Sequence, residues 1–144
     1  MTLAELPEVL NATRQSPGRP KASIWRAKIC SGQQGEDRAI ALLAGQGLRP
    51  LTRNYRCRMG EIDIITLDGD TLVFVEVRQR AHDRQGGAAA SITGRKQKRL
   101  IRAAEYFLLR NPQHGLRPCR FDVVALDGDA PADWIRDAFR VPSP

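Results

Sequence analysis

Gly60-Glu61-Ile62-Asp63-Ile64-Ile65-Thr66-Leu67-Asp68-Gly69-Asp70-Thr71-Leu72-Val73-Phe74-Val75-Glu76-Val77-Arg78-Gln79-Arg80 holds two Ile- and Val-rich runs joined through Asp-Gly, the pattern of a β-hairpin. With Asp68 and Gly69 as the loop, Leu67 pairs with Asp70, Asp63 lies opposite Phe74 and Glu61 opposite Glu76. Period-two alternation then gathers Glu61, Asp63, Glu76 and Arg78 on one face, with Ile62, Ile64, Val73, Val75 and Val77 on the other. A three-residue loop without a bulge would separate Asp63 from Glu76. Like charges on one sheet face repel, and a divalent cation between them resolves the repulsion. A solvated face on which Arg78 neutralises the carboxylates resolves it equally well. Spacing alone leaves both readings open.

Before the hairpin, the run from Leu48 to Cys57 predicts a first strand with Arg49, Arg53, Arg56 and Arg58 around Tyr55. Ahead of that strand, residues of about 31–44 predict a helix that ends at Gly45 or Gly47. Its apolar stripe is Ile40, Leu43 and Ala44. Glu36, four before Ile40 and seven before Leu43, falls on the inward side, where a carboxylate is costly unless paired. The alternative is a place in the first turn, where the helix dipole favours an anion.

After the hairpin come a Gly- and Ala-rich loop from His82 to Ala90 and a second helix. It is capped by Ser91 or Thr93 and stopped by Asn111-Pro112. Leu100, Ala103, Ala104, Phe107 and Leu108 form its apolar stripe. Arg95, Lys98, Arg99 and Arg102 share an adjoining face, where like charges weaken an isolated helix, so a phosphate backbone is the better explanation for them. Lys96 points toward the core side. Arg120 to Leu126 reads as a fourth strand closed by Asp127-Gly128, and Trp134 to Val141 as a short amphipathic element of undetermined type. The helix, three strands, helix, strand order predicts an α/β fold around a mixed sheet.

Composition narrows the partners. The chain of 144 residues carries 23 Lys and Arg against 16 Asp and Glu, a net charge of +7, which favours polyanions and nucleic acid first. No apolar run is long enough for a membrane span and no signal-peptide pattern opens the chain, so no membrane partner and a cytoplasmic location are expected. Cys30, Cys57 and Cys119 are odd in number and far apart, without zinc-ligand spacing. His82 and His114 have no partner at ligand spacing, and each is expected to be solvated. Residues 1–22, with Thr13 to Lys21 rich in Pro and basic residues, read as a flexible basic tail ahead of a domain at 23–144.

The element order resembles the core of the PD-(D/E)XK nuclease superfamily, the restriction-endonuclease-like fold. Gly35-Glu36, Asn54-Tyr55-Arg56, Gly60-Glu61-Ile62-Asp63, Phe74-Val75-Glu76-Val77, Lys96 and Arg120-Phe121-Asp122 more closely resemble the small bacterial YraN-type family, itself similar to archaeal Holliday-junction resolvases. The resemblance implies a nuclease site with Asp63, Glu76 and Glu36 as ligands of Mg²⁺ or Mn²⁺, and DNA, branched DNA included, as the substrate. Arg78 stands where the motif has Lys, and as an arginine it stays protonated. Hydrolysis would then rely on Lys96 or on metal-bound hydroxide. Arg80, Arg95, Lys96, Lys98, Arg99 and Arg102 are the candidate nucleic-acid contacts. A resolvase cuts two strands, which implies a homodimer. The alternative is a nucleic-acid-binding module that keeps the fold and has lost the chemistry.

Overall fold

In the computed structural model, residues 23–79 and 92–143 are described, and side chains over 33–79 and 92–143. The expected tail, Arg80, the loop with His82, and the Cys30 side chain lie outside the described residues. The elements are α1 (Ser23–Gly45), β1 (Arg49–Cys57), β2 (Gly60–Asp68), β3 (Thr71–Gln79), α2 (Gly94–Arg110), a 3₁₀ turn (Pro112–His114), β4 (Cys119–Leu126) and β5 (Asp133–Phe139). The strands form one sheet in the order β1-β2-β3-β4-β5. Only β3 and β4 run parallel, joined through α2, and every other neighbour is antiparallel. This is the expected α/β arrangement around a mixed sheet.

The helices cover opposite faces of the sheet. Leu100, Ala103, Ala104 and Phe107 of α2 pack on Leu51, Ile65, Phe74 and Phe121, while Ala39 and Leu43 of α1 pack on Ile64, Val73, Val75 and Leu126. Covered on both faces, β3 is buried without a break from Leu72 to Glu76. Thr93 caps α2 by accepting from the Lys96 backbone N–H at 3.2 Å, and Asn111 closes it just before Pro112.

Several expectations are corrected. The hairpin loop is Gly69-Asp70, closed by Asp68 against Thr71 and Leu67 against Leu72, two residues out of the predicted register. Gly69, at φ 59°, is the first loop residue, as a II′-type turn requires. A slip of two preserves the faces, whereas a slip of one would have inverted them. The helix α1 starts at Ser23, so Glu36 lies in its interior and not in its first turn. The element around Trp134 is a strand, β5. His114 is buried and stacks on Phe107 with ring centroids 6.0 Å apart, where solvation was expected.

Asp122 fastens β5 to β4. Its carboxylate, 1 % exposed, accepts from Arg120 at 2.8 and 3.0 Å, from the Trp134 indole at 2.9 Å and from the Asp137 backbone N–H at 3.0 Å. Asp137 sits at φ 52°, so the fourth donor is supplied by a strained residue held in place by the bond. Asp68 ties Arg120 and Arg136 together from the β2–β3 hairpin, each at 3.0 Å. Removing the carboxylate strands the Trp134 and Asp137 donors beside a partly covered guanidinium. Asp122→Ala is therefore expected to cost about 2–4 kcal/mol, read as a lower urea midpoint at unchanged slope.

Candidate functional site

The site forms where the sheet comes apart. The β2–β3 ladder ends at Ile64 against Val75, and the same register would next set Asp63 against Glu76. There the Val77 backbone N–H donates to Asp63 Oδ2 at 2.8 Å, so a side-chain carboxylate stands in for a strand carbonyl. On the other side of β2, Arg53 pairs with Ile64 and Tyr55 with Ile62, which leaves Asn54 level with Asp63. Asn54 has φ 53°, a left-handed conformation that Asn adopts more readily than most residues. The kink breaks the alternation. Ile64 packs with the α1-side core and Ile62 with the α2-side core, so the two do not share a face as the hairpin pattern predicted.

This opening brings in a group from the far helix. A Cβ on Gly35 would lie 3.1 Å from Leu126 Cδ1 and 3.2 Å from Gln79 Nε2, so glycine lets α1 approach the sheet closely. The next residue, Glu36, is 8 % exposed and accepts from Asn54 Nδ2 at 2.8 Å and from Arg53 at 3.4 Å. Arg53 also holds Asp37 at 2.7 Å. Asn54 thus both kinks β1 and satisfies a buried carboxylate.

Burial is the largest influence on Asp63 and pushes its carboxyl up to about 8, with the Glu76 charge next, a hydrogen bond to Glu76 and the Glu36 charge adding to it, and the Val77 N–H opposing them. At neutral pH Asp63 therefore keeps its proton. Glu76 is 5 % exposed, and the Lys96 ammonium contacts its Oε1. Cap and cation belong together: Thr93 fixes the first turn of α2, and that turn places Lys96 over Glu76. Among the described residues no three carboxylate, imidazole or thiol side chains converge as a ready-made ligand set. Two oxygen-donor side chains in contact, with a third carboxylate near enough to be felt, suit a hard cation such as Mg²⁺ or Mn²⁺ better than zinc.

A cavity of about 550 Å³ leads to this pair, with Lys96 beside it and Arg56, Arg95 and Arg99 along its walls. A second hollow of about 490 Å³ continues from Arg95 and Arg99 to Lys98 and Arg102. The geometry thus brings Asp63, Glu76, Lys96, Arg95 and Arg99 together and sets Lys98 and Arg102 next to them. Glu36 is held one layer away by Asn54. Arg78, half-buried on β3 level with Ala125, is not among the residues lining the cavity. Neither Cys57 nor the Asn54 kink follows from the sequence pattern as part of the site. An Asn inside a strand-like run is the available signal for the kink.

Comparison with known proteins identifies a family. The model of a family described as uncharacterised protein family UPF0102 matches residues 35–126, from the glycine beside Glu36 to the end of β4. A UPF0102 protein of Pseudomonas entomophila is 55 % identical over 114 residues, covering 76 % of this chain and 93 % of its own. One of Alcanivorax borkumensis is 51 % identical over 120 residues, 81 % of this chain and 96 % of its own. One of Alkalilimnicola ehrlichii is 54 % identical over 124 residues, 86 % of this chain and 98 % of its own.

The raised Asp63 carboxyl makes stability depend on pH. The folded chain keeps its proton up to about pH 8, whereas the unfolded chain releases it near the ordinary 3.8. Between those values the folded state binds more protons, so this contribution is full at low pH and is lost as pH rises. In chelator, the melting temperature is expected to fall from about pH 5 to about pH 8, and Asp63→Asn to flatten that slope. Equal slopes in the two proteins would show that Asp63 does not carry the proton.

Proposed function

This chain belongs to the uncharacterised protein family UPF0102, and we propose that it is a metal-dependent nuclease-like protein that binds DNA and hydrolyses its phosphodiester bonds. The observation that carries the reading is the contact of a half-buried Asp63 with a buried Glu76 in a cavity walled by arginines. Two carboxylates are retained there at an electrostatic cost, which a cation would remove. Asp63 and Glu76 would hold Mg²⁺ or Mn²⁺, with Glu36 adding negative charge from behind. Bound there, the cation supplies Lewis-acid polarisation of the phosphate and a water of lowered pKa.

The remaining work falls to side chains. Lys96, at the mouth of the pair, holds Glu76 in place and presents an ammonium to a phosphate oxygen. Arg95 and Arg99 bind the substrate's backbone, with Lys98 and Arg102 beyond them. The first turn of α2 has no acidic residue, although a helix N-terminus favours anions. Four cations between Arg95 and Arg99 oppose the helix dipole, and a phosphate backbone against that turn offsets both. Among the described residues no helix is long and apolar enough to cross a membrane. A junction-resolving form of the reading calls for two copies, one site per strand.

The second reading, a binding module without hydrolysis, is favoured by Arg78, since arginine cannot take a proton from water. One assay separates the two. Single-stranded, duplex and four-way-junction DNA are incubated with Mg²⁺ or Mn²⁺ and the products sized. Cleavage is expected to drop roughly a hundredfold or more in Asp63→Asn and Glu76→Gln. Cleavage that survives both changes would remove the site. Salt-sensitive binding without cleavage, with cutting restored in Arg78→Lys, would establish the second reading.

A further inference from the structure

We propose that the cavity over Asp63 and Glu76 admits one unpaired nucleotide, so that the strand acted on is single-stranded at the reacting phosphate and its next phosphates lie along α2. The inference rests on the nuclease reading and names its substrate class.

Depth is the first argument. Glu76 is 5 % exposed at the inner end of a cavity of about 550 Å³. That volume falls in the range of about 300–1,000 Å³ that encloses small molecules, room enough for one nucleotide and not for a base pair with its stacked neighbours. The walls are also fixed. A Cβ on Gly60 would lie 3.3 Å from the Arg99 carbonyl oxygen, so the β1–β2 turn and α2 meet backbone to backbone and cannot spread there without breaking that contact.

The lining is of mixed chemistry. Asp63, Glu76 and Lys96 bring charge, Cys57 and Leu100 apolar surface, and Arg56, Arg95 and Arg99 guanidinium groups, with Glu61 paired to Arg56. A nucleotide needs the same set of chemistries, cations for its phosphate and apolar surface for the faces of sugar and base. Beyond the cavity, Arg95 to Arg102 spans seven residues, about 10 Å of helix, and the second hollow follows that line. A basic groove of this kind tracks a flexible backbone, as in proteins that hold single strands. For a paired base, entry requires unpairing and unstacking, at a cost that favours strands already open.

The test uses the full chain and labelled DNA in three forms: a single strand, the same sequence as a blunt duplex, and a fork with one unpaired arm. Affinities are read by fluorescence anisotropy in chelator, and cleavage positions are mapped in Mn²⁺. The single strand and the fork are expected to bind at least about tenfold tighter than the blunt duplex, with cuts in the unpaired arm. Cys57→Phe, which fills the apolar wall, is expected to reduce that preference at an unchanged circular dichroism spectrum. Lys98→Ala with Arg102→Ala, on the exposed face of α2, tests the path independently of that packing change. It is expected to reduce the salt slope for the single strand by about 0.7 for each phosphate that is no longer neutralised. Equal affinity for duplex and single strand, or cuts within paired DNA, overturns this inference and leaves the nuclease reading standing. Absence of binding to all three forms overturns both.

Discussion

Two carboxylates in contact, one buried and one half-buried, do not both ionise readily without a positive partner, and this constraint organises the region around Asp63 and Glu76. Burial and the facing Glu76 push the Asp63 carboxyl up to about 8. The chain answers with one strand N–H, from Val77, and one ammonium, from Lys96. The first is available only because the β2–β3 ladder stops at Ile64 and Val75, and the second only because α2 begins at a capped turn over the strand ends. Loss of regular pairing is thus what frees backbone groups to serve side chains. The same break admits the influence of Glu36 from α1, which otherwise packs on the opposite face of the sheet.

The helix α2 carries the opposite burden. Its cations crowd an end whose dipole repels them, and they stand three and four residues apart from one another. Leu100, Ala103, Ala104 and Phe107, buried against the sheet, hold the helix in spite of this. Tertiary packing therefore tolerates a charge pattern that would weaken the free peptide, and this makes a site of concentrated positive potential possible. Acidic cavity floor and basic wall are two halves of one electrostatic arrangement.

Much of this is legible because strand side chains repeat every two residues. The Asp-Gly signal sets the hairpin two residues out of register, yet Asp63 and Glu76 stay on the same side, and the true loop, with Gly69 first, brings them level. The helical spacing of Glu36 and of Lys96 likewise gives their directions. What periodicity does not convey is the kink at Asn54, because one residue at positive φ overrides a pattern that assumes regular strands. Alternation places Ile62 and Ile64 on one face for that reason. His114 is hidden differently: a lone histidine looks like a surface residue until Phe107 is seen lying against it. Asp122 stands out in the sequence as part of a motif, but only its four donors reveal that it fastens an edge strand.

On the proposed reading, Arg78 and Lys96 would divide what one lysine does in the motif this chain resembles. Arg78 keeps the position on β3, half-buried and level with Ala125, but the cavity is lined by Lys96 instead. A lysine arriving from a helix reaches Glu76 from the solvent side, where it meets incoming phosphate as well as the carboxylate. Arginine does not exchange a proton near neutrality, whereas a carboxyl pushed up to about 8 does. In the metal-free site the proton held near neutral pH is therefore that of Asp63.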